Sequence, residues 1–493
     1  MDDSTAPDSD DGATGAERAV RVAAGKTPRR KPRRGDRFEL EILRIDDRGR
    51  GLAEADGHRF RLRHANPGAR VEAEVTSRRG GRVDARVVRT LDPGPHADDA
   101  RCPHAGTCGG CALPTLAYEE QLRQKRLLVE RALAEAGLSE VATVHEVEPA
   151  ARLVGYRNKM DFTFGNRRYV LAEEPEGAEA DFALGLHAPG LHHKVLDVTR
   201  CAIAFDGSDE IRNDVRELAR TRGLTPWNLR DHEGLLRHLV LRRGVRTGET
   251  MVDLVTSERA APLVDPLIAE LLERHPSITT VVQNVTTRLA TVAYGETEFV
   301  LHGPGTIDEV LAGQRFRISA DSFFQTNTEQ AERLFELVAD AAEVEAGERL
   351  FDVYCGAGTI GLAIAPPGAE IVGFESAPSA VRDARQNADR NGRSDAVFHE
   401  GDVLETLRSE AHTRAPHVLV VDPPRAGLHP RVPRELAALG ARRLVFVSCN
   451  PRTGARDVAE LVREGYALVD VRPIDLFPHT PHVEVVFRLE RAA

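Results

Sequence analysis

No stretch of this sequence approaches the ~20 consecutive apolar residues that a membrane-spanning helix needs, so no span is expected. Cysteine is also scarce. Six cysteines in 493 residues do not form a disulfide scaffold, which sets aside the small secreted domains that depend on one. The polar, acidic start has neither the basic end nor the apolar core of a signal peptide, and the protein is read as cytoplasmic. A global excess of positive charge is missing too: 66 Lys and Arg face 77 Asp and Glu, for a net charge of −11. That average hides an asymmetry. Between Lys26 and Thr90 there are 19 basic and 10 acidic side chains, an excess of 9, so the rest of the chain carries −20.

The length allows two to four domains with sizeable cores. Residues 1–34 are rich in Asp, Ala, Gly, Ser and Pro and end in a basic run, too polar to bury a core, and are expected to be a disordered tail. From 35 to 92 the pattern changes to short alternating runs, Phe38-Glu-Leu-Glu-Ile-Leu, Arg59-Phe-Arg-Leu-Arg, Val71-Glu-Ala-Glu-Val and Val83-Asp-Ala-Arg-Val-Val, punctuated by glycines. Period-two runs at this spacing predict a small β-barrel of the oligonucleotide-binding kind whose outward arginines suit RNA. The stretch resembles a TRAM domain, an RNA-binding barrel at the front of several RNA-modifying enzymes.

Cys102, Cys108 and Cys111 fall within ten residues, with Gly109 and Gly110 letting the backbone wrap, and Cys201 is the next cysteine downstream. Clustered thiols of this kind point to a metal site; spacing alone fits either zinc or an iron-sulfur cluster. An amphipathic helix is expected over 115–137, with Leu122, Val129 and Leu133 on one face. The region 93–312 reads as mixed α+β, with strands near 159, 235 and 250 and helices over 208–222 and 262–274. Tyr156, Arg157, Asn158 and Lys159 form a polar cluster that fits either an RNA contact or a solvated turn.

Residues 313–493 alternate strand and helix, the pattern of an α/β fold with a parallel sheet. Leu350-Phe-Asp-Val-Tyr is a strand, Cys355-Gly-Ala-Gly-Thr-Ile-Gly a glycine loop, and Ile371 to Phe374 a second strand ending at Glu375. Glu375 follows the loop by about twenty residues, where it would meet ribose hydroxyls of NAD or S-adenosylmethionine alike. Val418-Leu-Val-Val ends in Asp422-Pro-Pro-Arg425. Arg425 stands where enzymes that methylate exocyclic amines carry a base-stacking aromatic residue, which argues against amino-group chemistry.

The run Leu444–Val447 is short, apolar and closed by Ser448-Cys449-Asn450-Pro451, so it predicts a buried parallel strand delivering a thiol at its carboxyl end. Such a thiol suits a carbon acceptor. C5 of uracil is too weak a nucleophile to take a methyl group directly, so a thiolate must first add at C6. The C5 proton must then leave to a base. Leu476-Phe-Pro-His-Thr-Pro-His-Val-Glu484 supplies Glu484 as the first choice, with His479 and His482 as rivals.

Ser-Cys449-Asn-Pro, Asp422-Pro-Pro-Arg, Phe-Pro-His-Thr-Pro-His-Val-Glu484, Gln325 in Ser-Phe-Phe-Gln-Thr-Asn and the four cysteines together resemble the bacterial RNA uracil-C5 methyltransferase family, over roughly 35–490. The resemblance implies a class I Rossmann-like methyltransferase domain with Cys449 as nucleophile and Glu484 as base. It implies S-adenosylmethionine contacts at Gln325, Tyr354, Glu375 and Asp422, with Thr359 and Asp402 nearby. It implies a four-iron, four-sulfur cluster on Cys102, Cys108, Cys111 and Cys201. Barrel and cysteines together resemble the enzymes acting on 23S ribosomal RNA; the T-loop of transfer RNA is the other target. A monomer is expected. A non-catalytic RNA-binding or assembly protein is the reading from a different class.

Overall fold

The computed structural model describes residues 31–140, 142–289, 293–410 and 414–492, so the expected tail lies outside the described residues up to residue 30. Six strands form the first sheet: Arg37–Glu41, Arg44–Ile45, Gly51–Ala55, His58–Leu62, Arg70–Arg79 and Arg82–Asp92. Their alternation sends Leu40, Phe60, Leu62, Val71, Val75 and Val83 into one core and leaves Arg59, Arg70, Arg86 and Arg89 outside. Gly51–Ala55 had no strand signal in the sequence. It lacks β-branched residues and is a strand because His58–Leu62 pairs with it.

A seven-stranded sheet follows, in the order Leu191–Asp197, Ala183–Ala188, Lys159–Gly165, Leu236–Arg243, Thr250–Thr256, Thr280–Val285, Thr297–His302. The one parallel pair, Thr250–Thr256 with Thr280–Val285, is bridged by helix Ala261–Arg274, as a crossover requires. That helix and Ser208–Thr221 bury their apolar faces on Phe162, Leu239, Leu241, Val252 and Leu254. The opposite face of the same strands carries polar residues, Arg242 and Asp253 among them.

The third sheet has eight strands. Seven run in the order Val397–Glu400, Glu370–Glu375, Arg349–Val353, Val418–Val421, Arg443–Ser448, Glu484–Arg491, Tyr466–Ile474. In chain order this is third, second, first, fourth, fifth, seventh, sixth, a doubly wound α/β sheet whose order reverses between Arg349–Val353 and Val418–Val421. Arg443–Ser448 is parallel to Val418–Val421, as its sequence suggests, but antiparallel to Glu484–Arg491. The eighth strand, Thr143–Val144, comes from far upstream and pairs with Tyr466–Ile474.

The helix expected over 115–137 runs Tyr118–Glu135, and its Val129, Ala132 and Leu133 join the core of the third sheet. The segment 93–312 therefore does not stand as one body. The boundary expected at 312 falls in the turn of a hairpin, Thr306–Leu311 with Gln314–Ser319, and both of its strands pack into the C-terminal core. Tyr156 and Asn158 are each only 4% exposed and so do not form a solvated turn or an RNA contact. Tyr156 donates its hydroxyl to the Pro478 carbonyl, and Asn158 donates to Gln325 and Thr328, fastening the middle sheet to the last.

A buried ion pair makes the tightest such joint. Lys125 and Asp475 are both wholly buried, with Nζ 2.5 Å from Oδ1; Nζ also donates to the Phe477 carbonyl, and Tyr118 donates its hydroxyl to Oδ2. Burial lowers the Lys125 pKa, while Asp475 opposes that shift. Removing one partner leaves the other charge desolvated and unanswered. Lys125→Met is expected to cost about 3–5 kcal/mol in urea unfolding. A loss below about 1 kcal/mol would show that the pair does not hold the 475–483 segment in place.

Candidate functional site

Cys449 stands one residue past the strand Arg443–Ser448, and Asn450 caps the helix Pro451–Arg463 that follows by accepting from the Arg452 amide. Ser448 closes the turn, its hydroxyl donating to the Asn450 carbonyl at 3.0 Å and accepting from the Asn450 amide at 3.2 Å. The antiparallel register pairs Ser448 with Val485, so the next pair outward is Cys449 opposite Glu484. Val421 pairs with Phe446 on the other side, which puts Asp422 at the same end of the neighbouring strand. Strand topology alone thus brings the thiol and the two carboxylates together.

Their environments hold charge off all three. Burial, reinforced by Asp422, pushes the Glu484 carboxyl up to about 8. Burial and the Asp352 carboxylate push Asp422 up to about 7. Burial, then Glu484 and Asp422, push the Cys449 thiol up to about 11, with Arg425 acting the other way. A carboxyl near 8 is matched to moving protons at neutral pH. His482, one of the rival bases, lies against Arg425, whose Nη2 is 3.3 Å from Nδ1. Burial and that guanidinium hold it down at about 4, so it is a neutral ring. His479 is turned away altogether. It accepts from the barrel-side segment through its carbonyl, contacts the Leu153 carbonyl through Nε2 and lines a different cavity.

The remaining predicted residues surround the reversal point of the sheet. Tyr354 follows the first strand in a left-handed conformation (φ 65°). Glu375, at the end of the second strand, accepts from the Gly356 amide at 3.2 Å and the Ala377 amide at 2.8 Å. Gly361 is required where it is, because a Cβ there would lie 2.8 Å from Asp352 Oδ2, the atom that accepts its amide. Thr359 opens helix Thr359–Ile364, and Asp402 caps helix Val403–Glu410 by accepting from Leu404 and Glu405. Burial first, and then Asp402, Asp457 and Glu375, raise the Tyr354 hydroxyl to about 12. An aromatic ring among carboxylates suits a ligand with a positive charge and a flat base. Gln325 stands in the irregular segment ahead of helix Thr328–Ala342, and its neighbour Phe324 packs into the same core as Ile360 and Leu362.

On the side of Cys449 away from the sheet, a cleft of about 210 Å³ is lined by Cys449, Asn450 and His482 and by arginines from three parts of the chain. Arg44, Arg48, Arg50, Arg61 and Arg82 come from the first sheet and its turns, Arg131 from helix Tyr118–Glu135, and Arg425 and Arg452 from the turn after Val418–Val421 and the start of helix Pro451–Arg463. Sequence reasoning found the basic block but not its placement. The contact that sets it is Gly49 (φ 70°), where a Cβ would lie 2.7 Å from Ala112 and 3.4 Å from Pro481.

Cys102, Cys108, Cys111 and Cys201 line a second cavity, of about 300 Å³, together with His104, Arg157 and His479. Burial and mutual repulsion push Cys108 up to about 11 and Cys111 to about 12 and raise Cys201. Amides of Gly110, Ile203 and Ala204 point at the sulfurs of Cys108 and Cys201. Among the described residues no three His, Cys, Asp or Glu side chains are disposed to hold a single metal ion.

Residues 344–418 match the family model of a methyltransferase domain, and 406–492 match that of tRNA (uracil-5-)-methyltransferase. An RNA methyltransferase of Chlorobaculum tepidum is 39% identical over 434 residues, 86% of this chain and 90% of its own. One from Porphyromonas gingivalis is 36% identical over 464 residues, 92% and 99% of the two chains. The crystal structure of Pyrococcus abyssi tRNA (uracil-54, C5)-methyltransferase, in complex with S-adenosyl-L-homocysteine, superposes with a TM-score of 0.71 at 30% identity, covering 92% of this chain and all of that one. With such similarity along nearly its whole length, and with a crevice suited to a cationic nucleoside, the chain belongs to the RNA uracil-5-methyltransferase family and is an S-adenosylmethionine-dependent enzyme.

Proposed function

We propose that the enzyme makes 5-methyluridine in a structured RNA through a covalent adduct between Cys449 and C6 of a uracil flipped into the arginine-lined cleft. The observation that carries this reading is the strand register that continues from Ser448 and Val485 to Cys449 and Glu484, with Cys449 lining that cleft and Glu484 buried beside it. Thiolate addition at C6 moves the ring electrons to C5 as an enolate. S-adenosylmethionine, when bound, would supply the electrophilic methyl group, its S–CH3 bond breaking to leave neutral S-adenosylhomocysteine. C5 then carries both the methyl group and its original proton. Glu484, in its carboxylate form, takes that proton, the C5–C6 double bond re-forms, and Cys449 leaves as thiolate. Tyr354, Glu375, Asp402 and Asp422, with Thr359 and Gln325, would hold the cofactor; beside a positive sulfonium the buried carboxyls of Asp422 and Asp352 would give up their protons and favour the charged form.

Residues 35–92 act in this reading as a TRAM-type RNA-binding barrel, and the target favoured by the combination of barrel and cysteines is 23S ribosomal RNA. A specific observation supports the transfer-RNA alternative: the uracil-54 enzyme of Pyrococcus abyssi covers 92% of this chain. Its extent takes in more than the catalytic sheet, so the presence of a front barrel does not by itself separate the two targets. The four cysteines suit a four-iron, four-sulfur cluster. Such a cluster needs a cavity wider than a single ion does, and the three amides directed at sulfur would stabilise its thiolates. Cys102, Cys108, Cys111 and Cys201 would ligate it, far from the methyl-transfer chemistry.

Mutation separates the catalytic roles. Cys449→Ala is expected to bind RNA and cofactor and form no adduct, even with 5-fluorouridine at the target. Glu484→Gln is expected to stall at elimination and accumulate a methylated covalent complex, seen as a shifted band on a denaturing gel. Sequencing the RNA in that band identifies 23S or transfer RNA as the substrate. Full methylation by Cys449→Ala would end the covalent mechanism, and normal turnover by Glu484→Gln would return His482 to consideration as base.

The cleft makes its own prediction. Replacing Arg44, Arg48 and Arg82 together by Gln is expected to lower the slope of log affinity against log salt by about 2, at roughly 0.7 to 0.9 per lost phosphate contact. Cofactor affinity should not change. An unaltered salt slope would mean that RNA does not lie across this face.

For the cluster, anaerobically purified protein is expected to contain iron and acid-labile sulfide near four of each per chain and to absorb broadly near 400 nm. Stoichiometric zinc without sulfide would overturn the assignment.

A further inference from the structure

The segment from Ser319 to Gln325 joins the hairpin strand Gln314–Ser319 to helix Thr328–Ala342, and residues 322–325 belong to no strand or helix. No ladder of backbone hydrogen bonds fixes it. Arg242 of the seven-stranded sheet and Asn158, just ahead of its strand Lys159–Gly165, do so instead. Arg242, 3% exposed, donates Nη1 to the Ser319 carbonyl at 3.3 Å and Nη2 to the Ser322 carbonyl at 2.9 Å. Asn158 donates Nδ2 to the Gln325 carbonyl at 3.0 Å and its amide to the Thr326 carbonyl at 2.8 Å. The Arg243 amide donates to the Asn158 carbonyl, so the two clamps are tied to each other. Between them Phe323 stands 74% exposed, while Phe324 beside it is buried.

A buried guanidinium persists only where its charge is answered. Asp161 comes first in answering it, from the adjacent strand Lys159–Gly165, where it pairs in register with Val240; Asp253 on the other neighbouring strand and Asp321 in the segment itself add to it. Two carbonyls presented by a bend need a donor that spans both, which a planar guanidinium does and an ammonium does not. A side chain serving only to fill space at this depth would be apolar. The cost of burying this one makes sense if the geometry of the segment matters.

We propose that Arg242 is a positioning residue that holds the 319–325 segment so that Gln325 reaches the cofactor. The part concerning Gln325 rests on the cofactor role proposed above; the clamp does not. Hydrogen exchange of the intact protein reads the clamp directly. In Arg242→Met the amides of 320–325 are expected to exchange about tenfold faster, with helix Thr328–Ala342 and the seven-stranded sheet unchanged. Arg242→Lys keeps the charge, can reach one carbonyl, and is expected to lie between. Calorimetric titration with S-adenosylhomocysteine is expected to show affinity weakened about tenfold in Arg242→Met and by a similar factor in Gln325→Ala, the scale of one lost charged hydrogen bond. Unchanged exchange over 320–325 overturns the clamp, as does faster exchange spread across the whole sheet. Faster local exchange with unaltered cofactor affinity in both Arg242→Met and Gln325→Ala overturns the link to Gln325 alone. Should Arg242→Met fail to fold, unchanged exchange in Arg242→Lys overturns the clamp equally.

Discussion

Lys125 and Asp475 meet wholly buried, and the rest of the site is built outward from that contact. Charges in a dry interior attract strongly but are costly to place there, so the pair is stable only while both partners stay in register. Lys125 belongs to helix Tyr118–Glu135, which carries the first sheet: Gln124 accepts from the Ile45 amide and Arg131 donates to the Ile45 carbonyl. Asp475 ends the strand before the segment that leads to Glu484. A shift of the helix would therefore move the arginines of the first sheet and the carboxylate beside Cys449 together.

Two charged surfaces flank one thiol, and arginines outnumber the carboxylates of Asp46, Asp47 and Glu135 on one of them. On the sheet side, Asp352, Glu375, Asp402 and Asp422 face the crevice at the reversal point, and burial leaves Asp352 and Asp422 only weakly acidic, each near 7. On the solvent side, arginines converge from three parts of the chain. In the proposed reaction the two halves would suit a cationic methyl donor and a polyanionic acceptor, with Cys449 between them. The net charge of −11 conceals this because it sums over both halves.

The catalytic sheet was largely legible in the sequence, because buried parallel strands are continuous apolar runs closed by turn residues, as Val418–Val421 and Arg443–Ser448 are. Alternation revealed four of the six strands in the first sheet and missed Arg44–Ile45 and Gly51–Ala55, which exist through pairing. What could not be read was partnership across sequence distance. Nothing local says that the helix after the cysteine cluster packs on the last sheet, or that Lys125 meets a residue 350 positions away. Tyr156 and Asn158 looked like surface polar groups because polarity was visible and burial was not. Arg242 was overlooked for the same reason, lying inside a strand whose other residues explained the pattern.

The last segment shows why a motif so compact carries so much. Between Phe477 and Glu484 the chain changes neighbour at almost every second residue. His479, in a left-handed conformation with φ 67°, faces the cysteine cavity; Pro481 abuts Gly49 of the first sheet; His482 meets Arg425 in the cleft; Glu484 enters the sheet opposite Cys449. Prolines at 478 and 481 fix two of the backbone angles and so narrow the ways the segment can run. Tyr156 and Lys125 then take the carbonyls of Pro478 and Phe477. A segment fixed at so many points cannot adjust one contact without disturbing the others. Through His479 the cysteine cavity touches this same segment, so a group bound among those thiols would stiffen the eight residues that lead to Glu484.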